Sequence, residues 1–262
     1  MPKSRWFKRR REEERRRKDR DQTKTVEEVF DSYTLAHLYK LERRGIIEEL
    51  KGVVSSGKES RVYWGVSPEG RDLAVKIYLS ATAEFRKSIK KYILGDPRFE
   101  SIPKGNFRKL IYEWTRKEYR NLRRLHSSGV RVPEPIAFQG NILVMEFLGE
   151  KGYRAPLLIE ILEDMTREEL EEVTSDILDQ LEIIVCKAGL VHGDLSPYNI
   201  MYWQNKIWII DVSQAVPHTH PLAPELLQRD IHNITAFLEQ YLGELPSQRR
   251  IEAITACLET RE

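Results

Sequence analysis

The sequence predicts an α+β protein in two lobes, an antiparallel sheet carrying one main helix and then a mostly helical lobe, with the seam near residue 148. Three observations predict it. The apolar spacing changes from a helical period to a period of two after Gly45, and becomes helical again after residue 165. Turn signals, SPEG at 67–70 and QG at 139–140, separate short runs rich in Val, Ile and Tyr. A chain of 262 residues with 40% hydrophobic content is long enough to bury a large core.

Residues 1–22 form a basic arm. Within the first 21 residues, 11 Lys/Arg face 5 Asp/Glu, a net +6, so the rest of the chain carries −4 within an overall +2. A basic arm on a mildly acidic body suits contact with polyanions. The first lobe, 23–148, opens with a helix over 22–45, where TVEE at 25–28 fits a capping box, Leu35, Leu38 and Leu41 form a stripe, and Gly45 ends it. Strands are predicted at 53–54, 61–66 and 73–78. The basic stretch 83–106, broken by Gly95, Pro97, Pro103 and Gly105, predicts a flexible loop. A helix over 107–126 and strands at 135–138 and 141–147 complete this lobe. In the second lobe, 149–262, TREE at 166–169 caps a helix reaching about 187, strands lie at 200–202 and 207–210, and helices over 222–242 and 247–260 close the chain.

Several classes are excluded. Cys186 and Cys257 are far apart and lack partners at metal-ligand spacing, which predicts a reducing compartment and no disulfide framework. No apolar run approaches the roughly 20 residues that span a bilayer, and the N-terminus lacks a signal-peptide core, so the expected location is the cytoplasm.

The chemistry concentrates in LVHGDLSPYNI at 190–200. His192, Asp194 and Asn199, followed by a strand ending at Asp211, have the spacing used for phosphoryl transfer. Such transfer needs little covalent help and much positioning. One carboxylate, Asp194, orients the attacking oxygen and accepts its proton; an amide and a second carboxylate, Asn199 and Asp211, hold Mg²⁺ against the phosphates. His192 organises the loop. GVVSSGKE at 52–59 superficially fits a Walker A loop, but Glu59 replaces the required Ser/Thr and a strand follows where a helix is needed. A phosphate-covering turn fits better, with Ser55, Ser56, Gly57 and Lys58 giving close approach. Lys76, in AVKI at 74–77, matches the strand lysine that contacts the α/β-phosphates. Its carboxylate partner belongs on the helix 107–126: Glu118 is the first choice and Glu113 the runner-up, since helix phase alone does not separate them. Met145 would line the back of an adenine pocket, with backbone groups of Glu146 and Leu148 meeting the base.

SGKE at 56–59, VHGDLSPYN at 191–199 and IDVSQ at 210–214 resemble the signatures of the RIO atypical serine/threonine protein kinase family, across about 25–242. DVSQ at 211–214, APLL at 155–158 and HP at 220–221 with RDIHN at 229–233 resemble its type-1 branch, which lacks an N-terminal winged helix. The resemblance implies a minimal two-lobed protein-kinase-like fold binding ATP and Mg²⁺ (or Mn²⁺) between its lobes. It implies a role in maturation of the small ribosomal subunit, with precursor rRNA and protein as partners, and autophosphorylation, for which Ser88 and Ser101 are candidates. It also implies ATPase turnover through an aspartyl-phosphate on Asp211, with Asp194 as catalytic base and Asn199 and Asp211 as metal ligands. DVS stands where ordinary protein kinases have DFG, and APE at 223–225 falls too close to Asp211 to anchor an activation segment. About 50 residues follow Asp211, too few for the usual peptide-docking helices.

Two other readings remain. Small-molecule phosphotransferases of the aminoglycoside or choline kinase type share the HGD-to-Asn spacing, although the 56–59 turn and the VSQ after Asp211 weigh against them. An RNP-binding assembly factor whose ATP site only regulates docking would explain the basic arm, and its binding would be steeply salt-dependent.

Overall fold

The structure is a computed structural model that describes residues 30–79, 83–99, 106–243 and 248–259. The expected capping box at 25–28 and the basic arm lie outside these residues, as does Ser101. The chain divides into two compact units.

The first unit, whose described residues fall within 30–89, 106–120 and 133–155, is built on a sheet. Helix α1 (Ser32–Arg43) is capped by Asp31, whose carboxylate accepts the Thr34 N–H at 2.7 Å. Gly45, at φ +66°, supplies the left-handed residue that ends it. Strands β1 (Glu49–Ser56), β2 (Ser60–Val66), β3 (Asp72–Tyr78), β4 (Pro135–Gln139) and β5 (Ile142–Glu146) form one antiparallel sheet in the order β1-β2-β3-β5-β4. On one face, Leu73, Val75 and Ile77 of β3 pack with Leu41, Ile47, Tyr63, Ala137, Ile142 and Val144. Of the expected α1 stripe, Leu41 is buried and Leu38 packs on this core, but Leu35 is exposed. The alternation of side chains places Lys76 on the opposite sheet face, in register with Leu143.

Between β3 and β4 lie two helices, α2 (Ala83–Ile93) and α3 (Phe107–Ser128). Helix α2 corrects the expectation of a loop over 83–106. Phe85, Ile89, Tyr92 and Ile93 recur at helical spacing and are buried, while the helix breakers Gly95 and Pro97 fall beyond its end. Strands β6 (Gly149–Glu150) and β7 (Tyr153–Arg154) make a small hairpin in the same unit.

The second unit, whose described residues fall within 90–99, 121–132, 156–243 and 248–259, is mainly helical. Helix α4 (Arg167–Glu182) begins with the predicted capping box. Thr166 Oγ1 accepts the Glu169 N–H at 3.2 Å, and Glu169 Oε2 accepts the Thr166 N–H at 2.8 Å. A π-helical turn, Ile183–Lys187, extends it. Strand β8 (Leu190–Val191) pairs with β11 (Val216–Pro217). The β9 (Ile200–Trp203) and β10 (Lys206–Ile209) hairpin turns through Gln204 and Asn205, both at positive φ, as a two-residue hairpin turn requires. Helices α5 (Ala223–Leu242) and α6 (Gln248–Glu259) follow. Contrary to the sequence expectation, Cys186 and Cys257 form a disulfide that ties the π-helical turn to α6 across 71 residues. Sequence spacing conceals this pair because only the packing of α6 on the π turn brings the two residues together. Among the described residues, no helix is long and apolar enough to cross a membrane.

Candidate active site

The first unit supplies a buried ion pair. Lys76 Nζ lies 2.8 Å from Glu118 Oε1, and the two side chains are only 6% and 1% exposed. The Tyr78 hydroxyl donates to the other Glu118 oxygen, so both carboxylate oxygens are engaged. Glu113 pairs instead with Arg116 on the helix surface, which makes Glu118 the partner of Lys76. Burying two charges is costly unless each is paired and hydrogen-bonded, so this arrangement fixes both side chains in one geometry.

Ser56 ends β1, and Gly57, Lys58 and Glu59 form an exposed turn into β2, with no helix behind it. The Gly57 N–H donates to Ser60 O at 3.0 Å, and the Arg61 guanidinium binds the Gly57 carbonyl, closing the turn. At the end of β5, Met145 and Glu146 are half-buried and Leu148 is buried. The Glu146 N–H donates to Glu134 O at 2.9 Å, and Leu148 O accepts from the Ala155 N–H at 2.7 Å. Those two backbone groups are therefore already bonded within the unit.

The second unit holds the loop after β8. Gly193, at φ +79°, donates its N–H to Asp230 Oδ2 at 2.7 Å, and Leu195 donates to Asp230 Oδ1 at 2.8 Å. One fully buried carboxylate on α5 thus grips the backbone on both sides of Asp194. His192 is buried, with Nε2 3.3 Å from Ile210 O and Nδ1 accepting the Asp194 N–H at 3.3 Å, an organising position. Asn199 Nδ2 donates to the Asp194 carbonyl at 2.8 Å and lies 3.4 Å from Asp194 Oδ2. Gln214 Nε2 also donates to Asp194 Oδ2, at 3.1 Å. Burial pushes the Asp194 carboxyl above its ordinary range, His192 and Arg229 pull against that rise, and Asp211 adds to it.

Asp211 is exposed and sits at φ +53°, a conformation costing a non-glycine residue about 1 kcal/mol. Ser213 Oγ donates to its Oδ1 at 2.8 Å. The Ile210 N–H donates to Asn199 O at 2.9 Å, which ties the strand leading to Asp211 to the residue at the end of the loop. Among the described residues, no group of three or more His, Cys, Asp or Glu is placed to hold a metal. The donor set nevertheless suits Mg²⁺. It offers hard oxygens from one amide and one carboxylate, and Mg²⁺ usually fills the rest of its octahedron with water and substrate phosphate.

Sequence reasoning quoted Gln214 and Asp230 within DVSQ and RDIHN but gave neither a role, and it did not single out Asn121. Asp230 interrupts the buried stripe Leu226, Leu227, Ile234 of α5, and Asn121 interrupts the buried stripe Trp114, Leu122, Leu125 of α3. A polar residue inside an apolar helical stripe was the available signal, the same one that marked Lys76 on its strand.

A sequence profile of the RIO domain matches residues 61–251. The RIO-type serine/threonine-protein kinase Rio1 of Haloferax volcanii is 39% identical over 240 residues, covering 91% of this chain and 80% of that protein. Human serine/threonine-protein kinase RIO1 is 38% identical over 225 residues, 86% of this chain but 39% of the longer relative. Among solved structures, the Rio2 kinase-ADP/Mg²⁺-phosphoaspartate complex from Chaetomium thermophilum superposes with a TM-score of 0.65 at 19% identity, covering 89% of this chain and 72% of that one. That likeness establishes the minimal two-lobed kinase-like α+β fold. The profile match across most of the sequence and a 39%-identical relative covered over 80% of its length lead to one conclusion: the chain belongs to the RIO family of atypical serine/threonine protein kinases, in its type-1 branch.

Proposed function

We propose that the protein is an ATP- and Mg²⁺-dependent phosphotransferase that also turns over ATP through an aspartyl-phosphate. The observation that carries this reading is the network joining Asp194, Asn199 and Gln214, with Asp211 fixed at the end of the same hairpin. Asp194 orients the acceptor hydroxyl and takes its proton as the oxygen attacks the γ-phosphorus and ADP departs. Asn199 and Asp211 would hold Mg²⁺, which neutralises charge on the phosphates when bound. Lys76, fixed by Glu118, contacts the α/β-phosphates, and Ser56, Gly57 and Lys58 cover them. With the Glu146 N–H and Leu148 carbonyl already bonded, adenine is left to the Glu146 carbonyl and the Leu148 N–H, with Met145 beside the base.

In the ATPase branch an Asp211 oxygen attacks the γ-phosphorus, ADP leaves, and water then releases phosphate from the carboxylate. The phosphoaspartate of the Chaetomium Rio2 complex supports this route. The Rio1 relatives weigh for a protein-directed kinase over a small-molecule phosphotransferase. A role in maturation of the small ribosomal subunit, with Ser88, on α2, and Ser101 as autophosphorylation candidates, is the part of this reading that rests on the family resemblance alone. Trapping protein-bound phosphate after incubation with ATP and Mg²⁺ tests the two branches. Hydroxylamine-labile phosphate that disappears in Asp211→Asn is expected; acid-stable phosphoserine alone would remove the aspartyl-phosphate and leave the kinase.

A further inference from the structure

Asn121 is fully buried on α3 and makes three side-chain hydrogen bonds. Its Nδ2 donates to Val212 O at 2.8 Å and to Ala215 O at 2.9 Å. Its Oδ1 accepts from Arg98 Nη1 at 2.7 Å. Arg98 is itself clamped by Asp96, with Nε 2.8 Å from Oδ1 and Nη2 2.6 Å from Oδ2. Asp96 is only 2% exposed. The two carbonyls that Asn121 grips bound the turn immediately after Asp211, where the Ala215 N–H donates to Val212 O at 3.2 Å. Asp211 is the residue held in the left-handed region, a conformation that aspartate tolerates better than most side chains but that still costs free energy.

We propose that Asn121 is a positioning residue for Asp211. By pinning both ends of the 212–215 turn, it holds Asp211 at positive φ with its carboxylate presented for Mg²⁺ and phosphate. The Asp96–Arg98 fork sets the sense of the amide: with Oδ1 claimed by a guanidinium, the NH₂ group must face the two carbonyls. A flipped amide would set oxygen against two carbonyl oxygens and NH₂ against a cation. The proposal rests on the phosphoryl-transfer reading above, since it gives Asn121 its importance through Asp211.

Asn121→Asp keeps the size and the Arg98 contact but removes both donors to the turn. The readout is the Mg²⁺ concentration that half-saturates stabilisation of the protein by ADP, followed by thermal unfolding, beside ADP binding in EDTA. In the variant the Mg²⁺ half-saturation should rise about ten-fold, ADP binding in EDTA should match the parent, and hydrogen exchange at 212–215 should quicken. An unchanged Mg²⁺ half-saturation with a lowered unfolding midpoint would overturn the proposal and leave Asn121 a packing residue. Should Asn121→Asp fail to fold, Arg98→Lys keeps the charge facing Asp96 and loses the fork. A smaller rise in Mg²⁺ half-saturation supports the proposal, and none overturns it. A parent protein whose ADP binding ignores Mg²⁺ overturns the phosphoryl-transfer reading itself, a result distinguishable from failure of the Asn121 variants alone.

Discussion

Lys76 shows at the scale of one residue how burial locks a functional group in place. The side chain is buried and its charge is balanced by Glu118, which the Tyr78 hydroxyl also holds. Replacing the lysine by methionine leaves a buried carboxylate without this cation, so Lys76→Met should lower unfolding free energy in urea by about 3–5 kcal/mol. Removing both charges together, in Lys76→Met/Glu118→Leu, should recover much of that loss while ATP turnover stays absent. Recovery of turnover with stability would deny the pair a role in catalysis. The lysine was legible from sequence because AVKI matches the strand motif that carries a phosphate-contacting lysine. Its partner was legible only as a choice of Glu118 ahead of Glu113, and the packing of α3 settles it on Glu118.

At the scale of an element, helix α5 acts as the mount for the loop that carries Asp194. Its buried stripe positions Asp230, whose two oxygens take the Gly193 and Leu195 amides. Burial pushes the Asp230 carboxyl above the ordinary aspartate value of 3.8, against His192, the two amides and Arg229. The folded protein therefore binds this proton more tightly than the unfolded chain. The stability it contributes is complete below the unfolded value and is lost as pH rises through the raised folded one. Asp230→Asn has no such titration. Urea unfolding over a pH series should show the parent's advantage over this variant greatest in acid and shrinking as pH rises, whereas an advantage that widens with pH would reverse the sign assigned here. Helix α4 is simpler, because its capping box was readable from TREE alone. Thr166→Ala should cost about 1 kcal/mol with an unchanged denaturant slope. Helix α2 was hidden by its neighbours: glycines and prolines after residue 94 masked a regular apolar spacing before it.

At the scale of the whole molecule, the order of most elements was legible in local pattern, and the long-range ties were not. The disulfide joins residues 71 positions apart, and Asn121 reaches the turn after Asp211 from a helix some 90 residues earlier. Neither separation leaves a periodic trace in the sequence. Cys257→Ser, compared with the oxidised parent, should lose about 2–4 kcal/mol, chiefly because a closed loop of this length restricts the unfolded chain. Equal stability of the two under oxidising conditions would show that the link adds nothing to the fold. The central claim is that Asp194 and Asp211 carry phosphoryl transfer. Its most direct test is ATP turnover with Mg²⁺, with and without small-subunit precursor particles, for the parent, Asp194→Asn and Asp211→Asn. Loss of about 10²–10⁴-fold in each variant, with folding intact, is the expected result; turnover unchanged in both would contradict the assignment.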